Sequence, residues 1–215
     1  MSFFSNFNSD RCPCRITGNP LNGLCEKVCI EVNKVFDSCM KQSQEDGVIL
    51  ALTDNVPTDP AYPLTFISAR STTTQGTLTA LQVDRLADRP NFARVQATVG
   101  IPVEVLYVDA AGVEGKANAT ATFSQDVILF VPEPSVIPYN VEAVVSLIST
   151  EAVYIPDNTF SASCCVTIIL KIVMPVELLV PSYGYCHIPP CQEYAQEVCA
   201  GFFELPLFPD TNGGT

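Results

Sequence analysis

Ten cysteines are the residues of this 215-residue chain with the most distinctive chemistry. Cysteine thiolates form disulfides or bind metal ions, and both uses depend on which thiols the fold brings together. Secreted disulfide-bonded proteins often carry so many cysteines, whereas reduced cytosolic proteins rarely do. The candidates for cross-linking are Cys12, Cys14, Cys25, Cys29, Cys39, Cys164, Cys165, Cys186, Cys191 and Cys199.

Zinc binding is the alternative use of these thiols. Zinc sites usually show one Cys-x2–4-Cys pair followed by a second pair downstream. The spacings of Cys25 to Cys29 and of Cys186 to Cys191 could place two thiolates on one metal. The whole pattern is irregular, however, because the other close cysteines are separated by one residue or by none. Disulfides are therefore the favoured interpretation, with structural zinc left open.

The N-terminal sequence and the cysteine content point to different cellular compartments. Residues 1–10 contain neither a basic segment nor an apolar segment of the kind that begins a secretory signal peptide. We therefore expect that the protein is made inside a cell and oxidised later, unless its thiols bind metal.

Charge and composition exclude several classes of protein. Eleven basic and twenty-three acidic residues give a net charge of −12, which disfavours binding to nucleic acid or to an anionic membrane surface. A chain that is 47% hydrophobic and 16% charged can form a core, so it is not disordered. The longest apolar run, near Val166–Val176, is interrupted by Lys171 and Pro175 and is too short for a membrane-spanning helix.

The chain is predicted to have three regions, and all three carry cysteines. Residues 1–45 form a cysteine-rich N-terminal arm with a helix from about Leu21 to Gln42, on which Cys25, Cys29 and Cys39 share the face to be buried. Residues 46–182 form a β-rich module, and residues 183–215 form a cysteine- and proline-containing C-terminal arm with a short helical turn at 192–199.

The middle region is predicted to be a mainly β, antiparallel sandwich or partly closed barrel with long hairpins. Two hairpins dominate it, and each ends in a Val-Pro exit, which indicates a duplicated unit. A bulge or kink is expected at Gly100-Ile101-Pro102. The predicted strands are 47–53, 64–71, 77–83, 92–108, 113–131, 141–155 and 159–180.

Cys164 and Cys165 are neighbours on a predicted strand, so their side chains should point to opposite faces. One thiol should face the interior and the other should face outward, where it could join two protomers. The thiols at Cys12 and Cys14 precede the predicted helix on an arm that could reach a neighbour.

Catalysis has little support in the sequence. The single histidine, His187, lies in a proline-rich stretch, not beside a nucleophile turn. No phosphate-binding glycine loop or dinucleotide fingerprint occurs. We therefore expect a non-enzyme without a cofactor. The carboxylates considered, which are scattered over strands and turns, are Glu104, Asp109, Glu114 and Asp126.

The segments Phe92–Val103, Tyr107–Gly115 and Asp126–Pro132 are similar to the β-module of spore coat and spore morphogenesis proteins, the SPOCS-type domain. The resemblance covers about residues 46–181. With its cysteine-bearing arms, the chain resembles the cysteine-rich coat and exosporium proteins of clostridial spores. It lacks the peptidoglycan-binding repeat of the morphogenesis proteins, so the resemblance does not extend to anchoring in the cell wall.

The resemblance implies a structural protein that assembles into a disulfide-cross-linked two-dimensional array on the spore surface. Its partners would be itself and other spore-surface proteins, with no nucleic acid and no membrane. Synthesis in the mother-cell cytoplasm, followed by oxidation when that cell lyses, would explain cysteines without a signal peptide. The alternative is a β-sandwich binding module for a peptide or a carbohydrate, with intramolecular disulfides only.

Overall fold

The structure, a computed structural model, describes residues 26–182, and these residues form strands and no helix. One antiparallel sheet has the strand order β1-β8-β7-β3-β5-β6-β2, and β4 pairs with both β5 and β7. The mainly β, antiparallel prediction is thereby confirmed. The strands are β1 Glu26–Ala51, β2 Thr53–Val56, β3 Thr65–Ser71, β4 Gln75–Arg85, β5 Phe92–Val108, β6 Glu114–Phe130, β7 Asn140–Ile155 and β8 Thr159–Ser182.

The sequence predicted a helix from Leu21 to Gln42. Residues 26–42 belong instead to strand β1, so the prediction is wrong for these residues. Val28, Val32 and Val35 are β-branched and favour extended backbone, and pairing with β8 supplies the partner that a strand needs. Spacing alone misled the prediction because cysteines at odd positions can share a strand face as well as a helix face. Residues 21–25 of the predicted helix lie outside the described residues.

The chain divides into two compact units. The first contains, among described residues, 26–31 and 177–182, which are the outer ends of β1 and β8. The second, Val32–Val176, contains the hydrophobic core. The C-terminal arm at 183–215, with its predicted helical turn at 192–199, lies outside the described residues.

The core is built from alternate residues of the long strands. On β5, side chains from Ala93 to Tyr107 are buried at every second position, as a strand with one inward face requires. Strand β8 repeats the pattern from Phe160 to Ile172. Most of these side chains are valine, isoleucine, leucine or alanine, so the interior is filled by small aliphatic groups with stiff rotamers.

Strands β5 and β6 form the longest regular hairpin. They pair from Phe92 opposite Phe130 to Val108 opposite Glu114 without a shift in register. The bulge predicted at Gly100-Ile101-Pro102 is therefore wrong on this edge of β5. On the other edge, β5 changes partner at these residues: Ser71, the last residue of β3, lies opposite Val103, and Thr77, near the start of β4, lies opposite Gly100. Pro102 lacks an N–H group, which suits a position between two partner strands.

The turn between β5 and β6 is organised by Asp109. Its carboxylate accepts hydrogen bonds from the backbone N–H groups of Val113 at 2.8 Å, Ala111 at 2.9 Å and Ala61 at 3.1 Å. These donors stabilise the charged form and lower the pKa of Asp109, with Val113 contributing most. The carboxylate thus ties the hairpin turn to the loop before β3.

Replacing Asp109 with asparagine should lower the free energy of unfolding at pH 7. It should also make that free energy change less as the pH falls. Because the pKa of Asp109 is lowered in the folded state, its contribution is present above the unfolded-state pKa of about 4. That contribution is lost as the pH falls through the lower folded-state pKa. Urea unfolding of wild type and D109N at several values between pH 7 and pH 2 would test this. If the unfolding free energies of the two proteins differ by the same amount at every pH, the lowered pKa of Asp109 is contradicted.

Tyr107 is the largest fully buried side chain, and its ring lies against Gly115 on β6. A Cβ atom at Gly115 would be 2.6 Å from two ring carbons, closer than real contacts allow. The Tyr107 hydroxyl has no hydrogen-bond partner among the described residues, and burial raises the pKa of Tyr107. The absence of a side chain at Gly115 therefore makes room for this ring.

Gly115→Ala should destabilise the protein by about 1–3 kcal/mol, because the ring or the backbone must move. Gly100→Ala is the matched control in the same hairpin, since its Cβ would meet neighbours at ordinary distances of 3.5 Å or more. We expect G100A to be as stable as wild type or slightly more stable. Equal losses for both variants in urea unfolding would show that the Tyr107 contact is unimportant.

Candidate functional site

Strand β8 separates the two adjacent cysteines by the alternation of its side chains. Cys164 is fully buried in the core, and Cys165 is exposed on the outer face of the sheet. The prediction that these two thiols face opposite sides is confirmed. Cys165 is thus a thiol on a surface formed by regular strands, where the backbone fixes its position.

Ile148 on β7 lies directly opposite Cys165. Ile148 is 58% exposed, although isoleucine is usually buried. A register shift between Ile148 and Glu151 produces this pairing, because it turns Ser149 inward and Ile148 outward. Sequence reasoning missed Ile148, since the alternation of β7 had to be followed through the shift.

Polar groups flank Cys165 along β8. Ser163 accepts a hydrogen bond from Gln44 Nε2 at 3.2 Å and donates to Asp46 Oδ1 at 2.5 Å. Thr167 accepts a hydrogen bond from Gln42 Nε2 at 3.2 Å. Side chains of β1 therefore cross to β8 on both sides of the thiol, and these bonds hold the outer face around Cys165 in place.

Cys165 and Ile148 begin a row of residues that lie opposite one another on neighbouring strands, and charged side chains continue this row across the sheet. Arg70 on β3 lies opposite both Ile148 on β7 and Glu104 on β5. Glu104 contacts Arg70 at 3.4 Å and Lys116 at 3.5 Å. These ion pairs are solvent-exposed and contribute little to stability, but they give the row a polar end beside its apolar centre.

Burial lowers the reactivity of two other described thiols, Cys164 and Cys39. Burial raises the pKa of Cys164, and a hydrogen bond with Ser149 opposes this effect only in part. Burial also raises the pKa of Cys39, which packs against the core from β1. Both thiols are therefore protonated at neutral pH and are poor nucleophiles, since the thiolate is the reactive species.

Cys29 lies near the outer end of β1, in the smaller unit. It is exposed, and its Sγ atom is 3.9 Å from Glu177 Oε2, to which it donates a weak hydrogen bond. The four described cysteines are free thiols in this structure. The remaining cross-link candidates lie outside the described residues and are Cys12, Cys14, Cys25, Cys186, Cys191 and Cys199.

Three carboxylates considered as chemical candidates have structural contacts instead. Glu104 belongs to the ion pairs described above, and Asp109 binds backbone N–H groups of its turn. Asp126 accepts a hydrogen bond from Arg94 Nε at 2.8 Å, and this contact lowers the pKa of Asp126. Glu114 begins β6, and His187 lies outside the described residues.

Between residues 26 and 182, no three His, Cys, Asp or Glu side chains are grouped so that they could hold a metal ion. The same part of the chain has no helix that is both long and apolar enough to cross a membrane. Comparisons of the chain with protein-family models, with curated proteins and with solved structures find no match.

In the native protein, Cys165 should react with a maleimide at least about a hundredfold faster than Cys164, because the Cys165 thiol is exposed and the Cys164 thiol is buried. Fragmentation of the peptide containing both cysteines would assign the label to one sulfur. The variant C165S should leave that peptide unlabelled until urea unfolds the protein. Rapid native labelling of C165S at Cys164 would contradict the burial of that thiol.

Proposed function

We propose that this protein is a structural, non-enzymatic protein that assembles with copies of itself into a disulfide-cross-linked two-dimensional array. The observation that carries the proposal is the exposed thiol of Cys165 on the outer face of β8, beside the exposed side chain of Ile148. An apolar group next to a reactive thiol favours close approach of another protein surface, which excludes water from the contact.

A fixed thiol suits a covalent lattice for geometric reasons. A disulfide needs two Cβ atoms about 4 Å apart, so both sulfur atoms must be held in register. Cys165 is held by a regular strand, and Gln42 and Gln44 bind its neighbours along β8. Two thiols joining between protomers lose two electrons and two protons to an oxidant such as dissolved oxygen.

The shape that we infer for the larger unit is a partly closed barrel or sandwich. Strands β1 and β2 lie at opposite ends of the strand order, yet only Leu52 separates them in the chain. Leu52 donates its N–H to the Asn158 carbonyl at 3.0 Å and accepts a hydrogen bond from Asn158 Nδ2 at 3.2 Å. The stretch from β1 to β2 therefore bridges the β8 and β6 sides of the sheet.

The site of assembly that we propose is the spore surface, in the coat or the exosporium. This part of the proposal is supported by the likeness of residues 46–181 to SPOCS-type modules and by the cysteines in both arms. The protein would be made in the mother-cell cytoplasm and oxidised after that cell lyses. Other spore-surface proteins would be partners beside copies of this chain, and neither nucleic acid nor membrane would be involved.

Purified wild-type protein, oxidised in air, should form a ladder of covalent oligomers on non-reducing gels, and a reductant should collapse the ladder to monomer. The variant C165S should shorten the ladder, because one covalent contact per subunit is lost. C164A is the matched control and should behave like wild type, since its thiol is buried.

Mass spectrometry of the oxidised material should find Cys165 bridged to a cysteine of another chain. Cys165 found free, or bridged only within its own chain, would contradict the proposal. Antibody labelling of intact spores should place the protein on their surface, and an exclusively cytoplasmic location would contradict that part.

A binding module for a peptide or a carbohydrate is the second candidate. The observation that favours it is Tyr62, which is 50% exposed with its ring centroid 6.2 Å from that of Tyr154. Exposed aromatic rings commonly contact such ligands. Tyr183 and Tyr185 lie outside the described residues. A binding module would remain a monomer in electron micrographs, whereas the array protein should form ordered sheets.

A further inference from the structure

Two strands of the larger unit have edges without a strand partner. Strand β6 pairs with β5 along one edge, but on its other edge β2 covers only Lys116 and Asn118. Strand β1 pairs with β8 and has no second partner strand in the described sheet. Open edges of this kind accept an additional extended segment, because each presents unpaired N–H and C=O groups.

The direction of the β6 backbone groups follows from two hydrogen bonds. The Phe130 N–H donates to Asp37 Oδ2 on β1 at 2.7 Å, whereas the next residue, Val131, donates to Asn91 on the β5 side at 2.9 Å. The β5–β6 register has no shift, so every even-numbered residue of β6 shares the orientation of Phe130. The N–H and C=O groups of Thr122 and Ser124 therefore face the open edge.

A groove of about 420 Å³ lies at this open edge, between β1 and β6. Three side chains that pack into the hydrophobic core, Val48, Phe123 and Ile168, contribute its apolar part. Its polar part includes the exposed residues Lys41 and Ser124. An apolar surface beside free backbone groups is the arrangement that recognises an extended peptide with apolar side chains on one face.

We propose that this groove binds residues 203–207 of a second copy as a strand added to the edge of β6. The segment reads Phe-Glu-Leu-Pro-Leu, so Phe203, Leu205 and Leu207 share one face. The odd-numbered residues also share one direction of N–H and C=O groups, which would pair with β6. Pro206 would then point its nitrogen away from β6, which is where an added strand tolerates proline.

Reach allows a second copy to supply the segment, and charge limits the kind of contact that can hold it. Residues 183–215 follow β8, and an extended chain of that length can span roughly 100 Å. The described chain leaves the unit that contains the groove at Val176. Copies with a net charge of −12 repel one another, so association needs contacts that do not depend on opposite charge. Backbone hydrogen bonds and apolar side chains are such contacts. This inference rests on the proposed self-assembly and adds a non-covalent contact to it.

The test uses the full chain in excess reductant, so that disulfides cannot contribute to association. Wild type should form oligomers in analytical ultracentrifugation. The variant L205D/L207D, which loses the apolar face of the segment, should be a monomer. The variant S124P, which loses one N–H at the groove, should also be a monomer. Mixed together, these two variants should form a one-to-one dimer, because one retains the groove and the other retains the segment.

A peptide of residues 201–209 provides a second measurement that does not alter the fold of the receptor. It should bind L205D/L207D, and N-methylation at Leu205 should weaken binding at least about tenfold by removing a hydrogen bond to β6. N-methylation at Glu204 is the matched control and should have a small effect. This measurement decides the case if S124P does not fold.

Several results would overturn the inference. Wild type that is monomeric in reductant while the peptide still binds L205D/L207D would mean that the segment fills the groove of its own chain. Association that persists in L205D/L207D, or equal effects of the two N-methyl groups, would exclude strand addition to β6. Disulfide ladders formed in air would be unaffected by any of these results, so the two proposals can fail independently.

Discussion

The unbroken register between β5 and β6 is the constraint on which the rest of the structure depends. Seventeen residues of β5 lie opposite seventeen of β6 with no slip, so every inward side chain of one strand meets an inward side chain of the other. A slip of one residue would move the buried valines of β5 to the solvent and bring charged residues inside. Because so much apolar area depends on that alignment, it also fixes which residues point to the outer face and which lie opposite one another there.

The same long strands create a problem at the edges of the sheet. Strand β6 extends well beyond the two residues that β2 covers, which leaves a row of backbone groups facing β1. Asp37 accepts one of those N–H groups through its side chain, in place of a backbone carbonyl. A single carboxylate cannot pair a whole edge, so the strand remains open to another segment. Natural proteins usually protect such edges, and an uncovered one is consistent with a protein that assembles.

Much of the fold could be predicted from the sequence, because most strands carry their own signals. The strand predictions at 92–108, 113–131 and 141–155 agree with β5, β6 and β7 to within one residue at each end. Alternating small and β-branched residues between clear turns define these strands locally. Strand β1 could not be recognised in this way, because its spacing also fits a helix and its conformation depends on β8. Long-range pairing of this kind leaves no local signal.

The candidate site was predictable in part for the same reason. Alternation alone places Cys164 and Cys165 on opposite faces, whatever the neighbouring strand does. The neighbour of Cys165, however, depends on register. A hairpin continued without a shift from Ile155 opposite Thr159 would place Ser149 opposite Cys165, and the shift after Ile148 replaces a hydroxyl with an apolar side chain. The outward thiol was thus readable from the sequence, but its apolar surroundings were not.

The burial of Cys164 beside an exposed Cys165 has a chemical consequence for the disulfides that we propose between subunits. A nearby free thiolate can attack an existing disulfide and move it to a new partner. Cys164 adjoins Cys165 in sequence, yet its side chain is enclosed in the core and burial raises its pKa. Its sulfur therefore stays protonated and unable to reach a bond at Cys165 while the protein is folded. The strand that exposes one thiol thereby withdraws the adjacent one from exchange, so Cys164 cannot displace a bond made at Cys165 while the core is folded.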